Sequence, residues 1–340
     1  MSAHGGGGPG VAYTAMDAAE QVAQLRPVAL EAASRFGLVV RDLGLVLHGY
    51  NTTFRVDTDD GRRLALRVNT NSHSTAAHVV AQQEWLHALA RDTDVLVPDP
   101  LRTPDGRWAV DVDCAAWGAA LRVTVASWLD GDDVGECDEE QAYALGRAMA
   151  LLHDHAEGFV LPEGAALPCY DEPLFGDDNL LVGPDVRAPH TAVLDDALVE
   201  CRRRFDEVAR STRPVVIHAD LHGGNLKWHR GRVAVFDVDD AGIGAPALDL
   251  AISTFYLRDG HPAAEAALRA GYADVRDLPD VTEEQLEALV AARQLLLANS
   301  LFASSTASLR AEAQDYLDVT VDRLRHWRTT GRFSRAVHPA

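Results

Sequence analysis

Apolar positions recur at helical spacing over residues 15–36, where Val22, Leu25, Val28 and Leu30 form a stripe that Pro27 interrupts. The period then shortens. Residues 43–48 and 54–58 read as strands joined by the turn Gly49-Tyr50-Asn51-Thr52. Asp59-Asp60-Gly61 is a hairpin signal leading into a third strand over 63–69. A helix is expected over 74–91, with Val79, Leu86 and Leu89 on one face, and residues 107–112 and 121–126 read as further strands. The N-terminal region is therefore an antiparallel sheet of about five strands with one inserted helix.

The strand pattern stops at Ser127-Trp128-Leu129-Asp130-Gly131. Helical periodicity follows over 138–155, 193–210, 246–257, 262–272, 282–303 and 309–327. Pro246 suits a first helical position, and Thr282 with Gln285 is a capping-box pattern. Between these helices, residues 214–217, 226–229 and 233–236 read as one short apolar hairpin. The chain thus divides into a flexible tail (1–14), a sheet lobe (15–126), a hinge (127–131) and a larger helical lobe (132–340), an α+β architecture.

Composition narrows the chemistry. Across 340 residues, 47% hydrophobic and 24% charged positions exclude wholesale disorder and collagen-like repeats. The net charge is −20, and acids flank the densest basic cluster, Arg202-Arg203-Arg204. Neither nucleic acid nor an anionic membrane is expected as partner; a cationic or neutral one is. Cys114, Cys137, Cys169 and Cys201 are too scattered for a disulfide framework or a zinc site, which suits the cytoplasm. No uninterrupted apolar run reaches ~18 residues, so no transmembrane helix is expected. The glycine-rich N-terminus lacks the plan of a signal peptide. Oligomeric state leaves no mark in the sequence.

The informative stretch is 215–251, VVIHADLHGGNLKWHRGRVAVFDVDDAGIGAPALDLA. Short apolar strands bracket His218, Asp220, His222, Asn225, Asp237, Asp239, Asp240 and Asp249, which places these polar groups on loops at strand ends. One reading takes His218, Asp220, His222 and Asp237 as metal ligands of a hydrolase. It leaves Asn225 and the N-terminal sheet without a role.

The H-x-D-x-x-x-x-N spacing of His218, Asp220 and Asn225, followed by a strand ending in Asp237, resembles the catalytic and metal loops of the protein-kinase-like fold. The form HADLHGGN, then FDVDDAG and DLA, is similar to the aminoglycoside phosphotransferase and choline kinase superfamily, nearest its homoserine kinase type II and stress-response kinase branch. The likeness runs over roughly residues 40–300. It implies a two-lobe, ATP- and Mg2+-dependent phosphotransferase that acts on a hydroxyl of a small molecule. Asp220 would be the catalytic carboxylate, Asn225 and Asp237 would hold the metal, and His218 and Asp249 would support the loops. Asp239 and Asp240 would lie near the metal or the acceptor.

In the sheet lobe, the resemblance places Tyr50, Asn51 and Thr52 over the phosphates, and Arg67 where kinases of this fold carry a phosphate-holding lysine. The partner of Arg67 has two candidates. Spacing points to Glu84, whereas helical phase points to Gln82, the inward choice preferred here. Ser127, Trp128 and Leu129 match the hinge that would bind a purine base. Residues 170–178, Asp239, Asp240 and the helices after Phe255 would line an acceptor pocket, whose acids suit a hydroxylated amine. Alternatives are a protein Ser/Thr kinase of the stress-response type and, given Arg67 and Gln82, a nucleotide-binding pseudokinase.

Overall fold

The computed structural model describes residues 11–71, 74–183, 186, 188–304 and 306–337. Of the expected tail, residues 1–10 lie outside these. Val11–Thr14 departs from it as a short helix, α1. The reason is packing: Tyr13 is buried, edge-on to Trp117 at 4.8 Å, and its carbonyl accepts from Gln21.

Helix α2, Ala18–Arg35, opens on a capping box between Asp17 and Glu20. It runs through Pro27, which sits on its exposed face. Its buried stripe is Leu25, Val28, Ala29 and Ala32; Leu30 is 47% exposed, because five residues from Leu25 is the far side of a helix. Strands β1 (Val40–His48), β2 (Thr52–Thr58) and β3 (Arg63–Val68) follow, then helix α3 (Ala76–Asp92), β4 (Ala109–Cys114) and β5 (Ala119–Ser127). The sheet is antiparallel, in the order β1-β2-β3-β5-β4. Phe54, Val56, Leu66, Val68, Val110 and Val123 pack with α2 into one core.

The second core fills the helical lobe, and it includes Trp85, Leu86 and Leu89 of α3. By packing, α3 bridges the lobes although it is sequence-local to the sheet. Beyond the hinge come β6 (Asp132–Asp133), α4 (Glu139–Gly158), β7 (Cys169–Tyr170), α5 (Ala188–Ser211), β8 (Val215–Ile217), β9 (Leu226–His229), β10 (Arg232–Val235) and β11 (Gly242–Gly244). Helices α6 (Pro246–Leu257), α7 (Ala264–Ala273), α8 (Glu283–Ala303) and α9 (Ala307–Thr330) complete the lobe.

The expected three-segment hairpin splits in two. Strands β9 and β10 pair, with β6 on the other side of β9, whereas β8 pairs with β11, which β7 flanks. The two-residue strands and the glycine-framed β11 carry no alternating apolar signal, so periodicity missed them. Helix α8 is long and apolar enough by length and composition to span a membrane. Most of it is buried inside the protein, where its apolar side chains join the core.

Candidate active site

Two loops meet at one end of the small sheets: 218–225 between β8 and β9, and 236–241 between β10 and β11. The first is pinned from α6. Asp249 accepts the backbone N–H groups of His218 (3.0 Å) and Ala219 (2.6 Å), and Ser253, one turn along α6, donates to the carbonyl of Leu221 (2.7 Å). Behind Asp249 stand His153 at 3.0 Å and then Tyr272, 2.9 Å from the other ring nitrogen. His153, Asp249 and Tyr272 are fully buried. These contacts hold Ala219 at a φ of 62°, a conformation that costs a non-glycine residue on the order of 1 kcal/mol. Gly223 packs so tightly against the carbonyl of Gly135 that a Cβ would lie 1.7 Å from it.

Asp220 emerges from this loop with both carboxylate oxygens engaged. Arg293 of α8 binds Oδ1, and Asn225 Nδ2 donates to Oδ2 (2.8 Å) and to the Asp220 carbonyl (2.9 Å). His222 lies 3.4 Å from Oδ2, stacked on Tyr256, whose hydroxyl also meets Arg293. Burial would raise the Asp220 carboxyl; the Arg293 guanidinium, with His222, outweighs it and holds the group at about 2.

The second loop opens at Asp237, also left-handed (φ 66°). Arg67 of β3 spans this loop, with Nη1 2.8 Å from Asp237 and Nε 2.7 Å from Asp239. Burial, the neighbouring Asp237 and only partial relief from Arg67 leave Asp239 raised to about 6. Asp240 is raised to about 8, by burial first and then by Asp220 and Asp237.

Two cavities share the wall made by Tyr50, Arg67, Asp237 and Asp239. One, of about 410 Å³, reaches from Asn225 and Asp237 to the hinge residues Ser127, Trp128 and Leu129. The other, of about 360 Å³, holds Asp220, Asp177, Asp240, Tyr170, Phe175, Tyr256 and Arg293.

The structure sorts the residues singled out in the sequence. Asp220, Asn225, Asp237, Asp239, Asp240, Arg67, Tyr50 and the hinge face the cavities. Thr52 does not: it is fully buried in β2, and its hydroxyl is tied to His48. Asn51 lines the hinge-side cavity, but its side chain serves the fold, accepting from Thr70 and Asn71 and donating to Asp239 (3.0 Å). Gln82 points inward and is 2% exposed, yet it binds the Asp239 carbonyl and not Arg67. Glu84 turns away to Arg102 and Trp108. Asp239, expected near metal or acceptor, lines both cavities and is also paired with Arg67. At the hinge, the N–H groups of Ser127 and Trp128 already bond the Asp99 and Arg63 carbonyls. His218 sits beneath the loop, its Nε2 on the Phe236 carbonyl. Arg293 was missed; a lone arginine in the run LVAARQLLLA was the available signal.

The oxygen donors fit a hard divalent cation. Because Asn225 Nδ2 is turned to Asp220, the amide oxygen is what remains to join the Asp237 carboxylate. Among the described residues, no three His, Cys, Asp or Glu side chains come together as a metal cluster. With His218 bonded internally, the four-ligand hydrolase arrangement does not form.

The sequence profile of the Phosphotransferase enzyme family matches residues 45–289. Amicoumacin kinase of Bacillus subtilis (strain 168) is 25% identical over 232 residues, which cover 66% of each protein, so the chain spans just under two thirds of that relative. The microcompartment-associated aminopropanol kinase superposes with a TM-score of 0.71 at 24% identity, over 91% of this chain and 99% of that one. An amicoumacin kinase in complex with AMP-PNP, Ca2+ and Ami superposes with a TM-score of 0.68 at 18% identity, over 90% and 96%. These likenesses identify the two lobes as the protein-kinase-like fold.

Proposed function

The chain belongs to the phosphotransferase enzyme family, and from that premise we propose that it is a small-molecule kinase, transferring the γ-phosphate of ATP, with Mg2+, to a hydroxyl of a small cationic acceptor. The observation that carries the reading is the shared wall. A donor cavity running to the hinge and a separate acidic cavity adjoin at Arg67, Asp237 and Asp239, with Asn225 on the donor side and Asp220 on the acceptor side.

Asp220 orients the acceptor hydroxyl. A carboxylate held at about 2 is a weak base, so the proton passes to it late, as the hydroxyl oxygen bonds phosphorus and the bond to the ADP oxygen breaks. Asn225 and Asp237 would hold the divalent cation, which supplies charge neutralisation at the phosphate oxygens. Arg67 adds a guanidinium suited to the same oxygens. Asp249 and Ser253 keep the loop in place.

Asp177, framed by Tyr170, Phe175 and Tyr256, suits an ammonium group held by a carboxylate and aromatic faces, and the arriving cation would draw the proton from Asp240 beside it. The aminopropanol named for one structural relative is a small amino alcohol of this kind. A cavity of about 360 Å³ is of the size that takes such a small molecule.

The test is a panel of amino alcohols, aminoglycosides, uncharged polyols and serine-containing peptides, followed by ATP consumption, with mass spectrometry locating the phosphate. Cationic acceptors should be phosphorylated, and Asp220→Ala should abolish turnover. Phosphorylation of only uncharged or peptide substrates would defeat the acceptor assignment.

A further inference from the structure

Strand β3 presents a cation to the donor cavity, and such a group reaches phosphate productively only if another charge fixes its direction. Helix α3 offers Arg67 no carboxylate. The polar residues it turns inward are the neutral Gln82 and Gln83, while Glu84 is held on the other side by Arg102 and Trp108, both at 2.8 Å. The carboxylate comes from across the cleft: Asp239 Oδ2 lies 2.7 Å from Arg67 Nε. That acid is itself clamped by two further elements. Asn51, in the turn after β1, donates to the same oxygen at 3.0 Å, and Gln82 donates to the Asp239 carbonyl at 2.6 Å.

We propose that Asp239 is the positioning residue for Arg67, and that Gln82 acts by fixing Asp239, so that the metal-loop side of the cleft supplies the acid that α3 lacks. The proposal rests on the donor-cavity reading above. It also accounts for arginine at this position. Asp239 holds the guanidinium by charge, 2.7 Å from Nε without a hydrogen bond, while Nη1 meets Asp237, whose carboxylate a divalent cation would claim. A lysine, with one ammonium nitrogen, could not meet the two carboxylates from separate nitrogens. The bland reading is that Asp239 merely neutralises Arg67 in an acidic loop. The two readings part on the role of Gln82.

If the acid belonged on α3, Gln82→Glu would restore it and tighten nucleotide binding. If Asp239 is the partner, the new carboxylate faces the Asp239 carbonyl and carboxylate, and binding weakens. The experiment is calorimetry of a non-hydrolysable ATP analogue with Mg2+ on wild type, Gln82→Glu, Asp239→Asn and the double variant, with KM for ATP and for acceptor measured alongside. Each single change should weaken nucleotide binding roughly tenfold and raise KM for ATP well beyond any change in KM for the acceptor. The double variant should recover to within about threefold of wild type, because the carboxylate introduced on α3 would then be the one acid left to pair with Arg67 Nε. Gln82→Glu is near-isosteric, so it remains informative if Asp239→Asn folds poorly. Tighter binding by Gln82→Glu, or unchanged binding by Asp239→Asn, overturns the proposal. Failure of the wild type to bind nucleotide at all would instead bring down the donor-cavity reading, and the proposal with it.

Discussion

Replacing Asp249 with asparagine tests how the 218–225 loop is held. The Asp249 carboxyl accepts two backbone N–H groups at 2.6 and 3.0 Å and contacts His153 at 3.0 Å, all out of solvent. An amide of the same shape keeps one accepting oxygen and turns an NH2 toward a donor. One charge-assisted bond is lost, about 1.5–3 kcal/mol, and one buried N–H is left without an acceptor, about 1–3 kcal/mol. The total, about 2.5–6 kcal/mol, corresponds to a fall in Tm of roughly 4–8 °C for a chain of this size. Ala219 would then relax from its left-handed φ and carry Asp220 with it. A displacement near 1 Å at the reacting group costs on the order of a hundredfold in kcat. Nucleotide binding should survive, since Asp249 touches no donor-cavity residue apart from the loop itself. Scanning calorimetry, kcat and nucleotide calorimetry on one preparation decide it. A Tm within about 2 °C of wild type would refute the pinning argument, and so would nucleotide affinity falling in step with kcat.

Three further outcomes are expected. Arg293→Gln removes the guanidinium on Asp220 and leaves that carboxylate beside Asp240; kcat should fall by about a hundredfold with KM for ATP unchanged, and steady-state kinetics at saturating acceptor will read it. Asp240, raised to about 8, holds its proton more tightly folded than unfolded, so its contribution to stability is complete below about 4 and is lost as pH climbs to about 8. Asp239 shares the lower half of that window, so the ligand-free Tm between pH 6 and 8 is the clean measurement; an Asp240→Asn protein that keeps the wild-type slope there would discredit the assignment. Helices α4 and α7 touch through glycines, where a Cβ on Gly146 would lie 2.0 Å from the Leu268 carbonyl and one on Gly271 2.0 Å from that of Tyr143. Either change to alanine should destabilise by about 2–3 kcal/mol in denaturant titration, and an unchanged midpoint would show that the helices part freely.

By itself, the sequence determined the elements whose chemistry is local. The period-2 strands of the small lobe, the capping box at Thr282 and the apolar stripe of α3 follow from side-chain alternation and short-range hydrogen bonding, and they stand where spacing put them. The phosphotransferase family was legible too, because H-x-D-x-x-x-x-N and the strand to Asp237 compress two loops into consecutive residues. Tertiary structure alone decided which groups face one another. The pairing of β8 with β11 in place of β9 is non-local, and the burial that turns Gln82 onto Asp239, and not onto Arg67, depends on how one lobe meets the other. Arg293 reaches Asp220 from a distant helix, and Asp239 serves the opposite lobe. Electrostatic partners are chosen by distance in space and by exclusion of water, and neither quantity is written in the spacing along the chain.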